Sequence, residues 1–172
     1  MGHANIIKYC DRPFQSLEDM DNTIIKNHNT RVKEGDLVYH IGDFCFKNSP
    51  GGKIGEGTTT KAEYYQKQFN GNFIFLKGNH DKNNGLKTCI ERIGIYFGGY
   101  RINLVHNPEH ASFAYELNLT GHVHQNWKIQ RFRKDFRLTD CYNCGVDVHN
   151  FAPIKLTEAI QEWEQWKGKQ VK

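Results

Sequence analysis

No apolar run in the 172 residues approaches the roughly 20 that a membrane-crossing helix needs. Residues Met1 to Cys10 lack the apolar core of a signal peptide. Repeats, low-complexity tracts and breaks in composition are all missing, so a single domain over 1–172 is expected. The five cysteines are odd in number, which excludes complete disulfide pairing within the chain. Without an export signal, they point to free thiols in a reducing, cytoplasmic compartment. An excess of one charge is also lacking: 23 Lys and Arg face 19 Asp and Glu, a net charge of +4. That suits an anionic substrate but is too small to mark a nucleic-acid binder. What is present is 38% hydrophobic and 13% aromatic residues, enough to bury a core rather than remain disordered.

Periodicity gives a coarse outline. Residues 16–27 place Leu17, Met20, Ile24 and Ile25 on one helical face, with Ser16 as N-cap. Strands are expected at 36–41, 72–76, 101–105 and 116–119, with two more near 128–133 and 136–146. Helices are expected at 61–69, 86–93 and 157–166, the last turning Ile160 and Trp163 inward. The glycine- and threonine-rich stretch 48–60 reads as a long loop. Alternating strands and helices followed by a strand-rich half make a layered α/β protein.

Four expected strands end in chemistry-bearing residues: Gly42-Asp43, Gly78-Asn79-His80-Asp81, His106, and Gly121-His122-Val123-His124. Ligands bind beyond strand ends in such sheets, where turns aim side chains at one point. A carboxylate, an amide oxygen and imidazoles form a mixed oxygen and nitrogen donor set. It suits manganese, iron, zinc or nickel better than calcium, which prefers oxygen alone.

In this order the motifs resemble the calcineurin-like metallophosphoesterase superfamily. Gly2-His3-Ala4-Asn5-Ile6-Ile7, Arg12-Pro13-Phe14 and Gly145-Val146-Asp147-Val148 look like a small bacterial and phage branch of it. The resemblance implies a β-sandwich flanked by helices, in four α-β-β-α layers, around two divalent metal ions. Asp43 would bridge the ions; Asn79, His106 and His122 would complete the second site, and His124 would belong to the first. A metal-activated water would then attack a phosphate mono- or diester. His80 would stabilise or protonate the leaving oxygen, with Asp81 orienting its ring. His3, Asn5 and Arg12 would approach the substrate, a phosphate ester or nucleotide.

The family's first motif, Asp-x-His at the end of a first strand, has no counterpart before Met1-Gly2-His3. That strand and two ligands of the first ion are therefore expected to be absent, and the reading frame to continue upstream. The alternative function is a catalytically weakened phosphate- or nucleotide-binding domain that keeps one metal site.

Other residues have plainer readings. Asn5 can equally cap a helix through Ile6 to Cys10, and Arg12 can belong to a packed turn. His40 reads as a core or supporting histidine; His28 and His110 as solvent-facing; His149 and Asn150 as surface. Cys141 and Cys144 read as strand thiols rather than a zinc or redox pair. The basic and aromatic run from Arg131 to Arg137 fits an exposed hairpin turn better than a nucleic-acid surface.

Overall fold

The computed structural model describes residues 1–46 and 60–170. Apart from its last residue, the loop expected at 48–60 lies outside the described residues. Helix α1 (Ile6–Tyr9) precedes α2 (Leu17–Arg31), whose N-terminus is capped by Ser16 Oγ accepting from the Asp19 amide at 3.1 Å. Met20, Ile24 and His28 fall one turn apart and form the buried face of α2. His28 is thus enclosed rather than solvent-facing: its Nε2 lies 2.8 Å from the Asn70 carbonyl and its ring packs on Phe69 and Phe73.

Strand β1 (Leu37–Ile41), helix α3 (Ala62–Gln66) and β2 (Asn72–Leu76) follow. β1 and β2 are parallel, with Leu37 opposite Asn72 and Ile41 opposite Leu76. The two strands therefore end together, and the Gly42-Asp43 and Gly78-Asn79 turns emerge side by side. Among the described residues β1 pairs with β2 alone. Residues 37–43 line a cavity of about 610 Å³. At its end Met1 donates to the Phe44 carbonyl and accepts from the Phe46 amide.

The second sheet has the order β3-β4-β5-β7-β6. Its strands are β3 (Arg92–Phe97), β4 (Tyr100–Val105), β5 (Leu117–Thr120), β6 (Ile129–Lys134) and β7 (Arg137–Asn143). β4, β5 and β7 run parallel, with Leu104 opposite Leu119 and Thr120 opposite Asn143. His106, Gly121-His122 and the turn into Asp147 consequently leave the sheet at one end. The helix expected at 86–93 is instead irregular chain leading into β3. Gly98 and Gly99, with φ +61° and +85°, close a two-residue hairpin onto β4. Both central residues at positive φ suit the right-handed twist of paired strands.

Helix α4 (Leu156–Gln170) packs Ala159, Ile160 and Trp163 on Ile102, Leu104, Leu117 and Tyr142. Tyr39, Ile41 and Leu76 of the first sheet join the same core. The class is thus mixed α/β, with a multi-stranded sheet and flanking helices. On the far face of the large sheet, Asn103, Asn118 and Thr139 are hydrogen-bonded to one another and to the Ser112 turn. That face is polar and is covered there by loop. Among the described residues no helix is long and apolar enough to cross a membrane.

His28 and His149 each accept burial beside a backbone carbonyl, and burial pushes both, with His40 and His3, below the ordinary histidine range; His40 and His3 fall to about 4. His106, held up by Asp43, acts in the opposite sense. A histidine with a depressed folded pKa contributes stability above its unfolded value of about 6.5 and loses it as pH falls. The depressed histidines should make the thermal melting temperature drop as pH falls from about 6.5 to 4. A midpoint that rises on acidification would contradict this.

Candidate metal centre

The turns at the two sheet ends bring Asp43, Asn79, His106 and His122 to one point. Asn79 Oδ1 lies 3.0 Å from His106 Nε2 and 3.0 Å from His122 Nδ1. The two ring nitrogens are 3.3 Å apart, and Asp43 Oδ2 is 3.1 Å from His106 Nε2. His106 Nδ1 donates to the Ile41 carbonyl at 2.8 Å, which leaves the Nε2 lone pair of a neutral ring aimed at the centre. Four atoms that carry lone pairs therefore converge with one proton or cation needed among them. Donors about 2.0–2.2 Å from a shared ion stand roughly 2.8–3.6 Å apart, so these separations fit a cation.

Electrostatics agree with that requirement. Burial raises the Asp43 pKa, but the His106 ring and the His80 amide outweigh it and hold the carboxylate below its usual range. Burial lowers the His106 pKa, and Asp43 more than reverses it. His122 is pushed down by burial and by His106.

Asp81 is 5% exposed and ties the turns together. Its Oδ2 accepts from the Gly78 and Asp43 amides at 2.8 and 2.7 Å; its Oδ1 accepts from the Phe44 amide at 3.1 Å and from Asn84 Nδ2 at 2.7 Å. Both oxygens are engaged in this way, so Asp81 anchors backbone where orientation of the His80 ring was expected. The turns also need their glycines. Gly42 has φ +80°, and a Cβ there would lie 2.5 Å from His106 Nδ1; a Cβ on Gly78 would collide with Asp43. Asp43, His122 and His124 themselves sit at positive φ, strain of a kind that concentrates at functional sites.

The remaining candidates lie around this centre. The His80 amide donates to Asp43 Oδ1 at 2.8 Å, while its ring is exposed. That ring shares a cleft of about 520 Å³ with His3, Tyr9, Cys10, Phe46 and His124. His3 stacks on Phe46 with ring centroids 4.4 Å apart. Asn5 precedes α1 without a side-chain cap bond. Arg12 is committed to Asp147 through two bonds of 2.7 and 2.9 Å in a buried pair, so its guanidinium is not free for substrate. His124 Nδ1 lies 3.3 Å from Asp147 Oδ2. His124 falls in a set with Cys10 and Asp147, separate from Asp43, His106 and His122. His40 packs edge-on against Phe44, and its enclosed Nδ1 has no hydrogen-bond partner among the described residues. His149 is half-buried, bonded to the Asn143 carbonyl and stacked on Tyr142. Cys141 is buried and Cys144 half-buried, both free, and burial pushes each thiol up to about 12. Arg131 is held by Asp140, leaving the tip of the basic hairpin exposed at Phe136. Sequence reasoning missed Asn84, fully buried, whose only signal was its place three residues after Asp81.

The fold and site define a layered α/β protein with a candidate cation centre at its strand ends. No protein-family model matches the chain. The uncharacterized protein MJ1445 of Methanocaldococcus jannaschii is 34% identical over 175 residues, covering 99% of this chain and 89% of that one, and the chain belongs to the family of that archaeal protein. The protein of unknown function AQ665 from Aquifex aeolicus shares 23% identity and the same fold, with a TM-score of 0.64 over 92% of each chain. A conserved uncharacterized protein of Streptococcus pneumoniae TIGR4, a predicted phosphoesterase, is 18% identical with a TM-score of 0.37, covering 73% of this chain and 65% of that one. A likeness of that size shows neither activity nor ligand.

Replacing Asp81 by Asn turns into a donor one of the two acceptor oxygens that together take three backbone amides and Asn84 Nδ2. Asp81→Asn should lower stability by about 1–3 kcal/mol and weaken metal affinity although Asp81 reaches no ion. Unchanged denaturant midpoint and metal affinity would show that the turns hold without it.

Proposed function

We propose that the chain is a divalent-metal-dependent phosphoesterase acting on phosphate mono- or diesters, with manganese, iron, zinc or nickel as its ions and two ions per active site. The observation that carries this reading is the convergence of Asp43, Asn79, His106 and His122 at 3.0–3.3 Å beside the exposed His80 ring. When bound, a divalent ion supplies charge compensation for phosphoryl oxygens and lowers the pKa of water. Asp43, Asn79, His106 and His122 would hold it, and the Ile41 carbonyl fixes the tautomer of His106.

His80 stands next to Asn79 with its backbone locked to Asp43 and its ring free in the cleft, a position from which it stabilises or protonates a leaving oxygen. His3, depressed to about 4 by burial and by His80, is neutral at pH 7 and contributes a hydrogen bond rather than charge. Asn5, two residues further on at the start of α1, would also approach the substrate, whereas Arg12 is committed to Asp147. The set at Asp43 holds donors for one ion, which favours, as the second reading, a weakened phosphate- or nucleotide-binding domain with a single metal site.

Turnover of a generic aryl phosphate with added manganese separates the two readings. Asp43→Asn should abolish turnover and lower metal content more than other single changes. Undiminished turnover in that variant would reject the assignment. His80→Ala should slow turnover by roughly 10²–10⁴-fold with metal content unchanged, and less so for good leaving groups. Loss of metal from His80→Ala would mean that it serves as a ligand or holds Asn79.

A further inference from the structure

Between Arg131 and Arg137 the chain carries Arg131, Arg133, Lys134 and Arg137 against a single acid, Asp135. Arg131 is neutralised by Asp140, and its guanidinium lies over Trp166. Arg133, Lys134 and Arg137 are exposed and form no ion pair among the described residues. Residues two apart on a strand, and residues paired across an antiparallel ladder, share a face. Phe132 and Lys134 therefore lie on one face of β6, beside Thr139 and Arg137 of β7. Trp127 joins them, its ring centroid 6.0 Å from that of Phe132. Beyond them Phe136 stands at the turn, 96% exposed. β6 is the outer strand of the sheet and, among the described residues, pairs with β7 alone. At the other end of this strip, Asn143 Nδ2 donates to the Trp127 and His124 carbonyls at 2.8 and 2.7 Å. Rings and cations thus interleave over about 20 Å of an outer strand, from the His124 turn to the hairpin tip.

Cations on an outer strand can serve simply to prevent edge-to-edge pairing. That purpose does not call for a phenylalanine left almost wholly in water at the tip. A bilayer is met by apolar side chains gathered at one level, whereas Trp127, Phe132 and Phe136 are strung out along the strand. A chain of regularly spaced anions and flat apolar groups fits that arrangement, and the modest net charge of +4 conceals the local excess of cations. We infer that the outer face of β6 and its hairpin turn bind single-stranded nucleic acid, with Lys134 and Arg137 on phosphates and Phe136 stacked on a base. The binding requires no metal and so stands apart from the phosphoesterase reading. The course of the strip would lead a bound strand toward the metal centre.

Fluorescence anisotropy of a labelled single-stranded DNA about 12 nucleotides long tests this with the full-length protein, in EDTA and over a range of salt. Each phosphate contact contributes about −0.7 to the slope of log affinity against log salt. Lys134→Gln combined with Arg137→Gln should therefore flatten the slope by about 1.4. Phe136→Ala should weaken binding by roughly 5-fold or more and leave the slope as it was. Lys26→Gln combined with Lys33→Gln removes the same charge from exposed positions on and just after α2, and should change neither quantity. Circular dichroism checks that each variant is folded. No binding at low salt, an unaltered slope in the Lys134 and Arg137 variant, or full affinity in Phe136→Ala would overturn the inference. So would an equal loss in the Lys26 and Lys33 variant, which would make the attraction one of overall charge. Binding to phosphatidylserine vesicles in place of DNA would also overturn it and make the hairpin a membrane contact.

Discussion

The Asp81 carboxylate is the interaction on which the rest of the site depends. Parallel pairing of β1 and β2 delivers two turns to the same edge, but pairing stops at Ile41 and Leu76. Beyond that point the chain has no ladder to hold it. Asp81 replaces the ladder with three backbone amides and the Asn84 side chain, all gathered on one buried group. A buried carboxylate with so many donors is well compensated; with any donor removed it becomes costly. The position of Asp43 follows from this anchor, and the ring of His106 follows from Asp43 and the Ile41 carbonyl.

The second sheet meets this edge through register. Leu104 opposite Leu119 sets His106 against Gly121, whose amide bonds the His106 carbonyl. His122 then turns back at φ +71° to face Asn79. Positive φ at three non-glycine residues of the site is held against its intrinsic cost, roughly 1–2 kcal/mol per residue, by these contacts. The price is borne by the core below, where Leu76, Leu104, Leu119 and Trp163 pack both sheets and α4 together.

Much of this was legible in the residues. Glycine followed by a polar residue at the end of a periodic strand marks a turn that aims a side chain, and Asp43, Asn79, His106 and His122 do converge. Ser16, Trp163 and Ile160 also behave as their spacing predicts. The β3 hairpin was hidden because Leu86, Ile90 and Ile93 happen to satisfy helical spacing, whereas the signal that decided it was Gly98-Gly99. Roles set by partners distant in sequence were not readable. Arg12 lies 135 residues from Asp147, and Asp81 turns its carboxylate to backbone amides that carry no sequence signature. His28 was misplaced for a related reason: a polar residue on the apolar face is enclosed only because Asn70 offers it a carbonyl.

The central claim is that the convergence of Asp43, Asn79, His106 and His122 exists to hold a cation. Crystals soaked in manganese and measured at its absorption edge test it most directly. The account predicts an anomalous peak about 2.0–2.3 Å from all four donor atoms, with His106 still bonded to the Ile41 carbonyl. The four side chains hydrogen-bonded to one another, with no anomalous signal among them at saturating manganese, would contradict it.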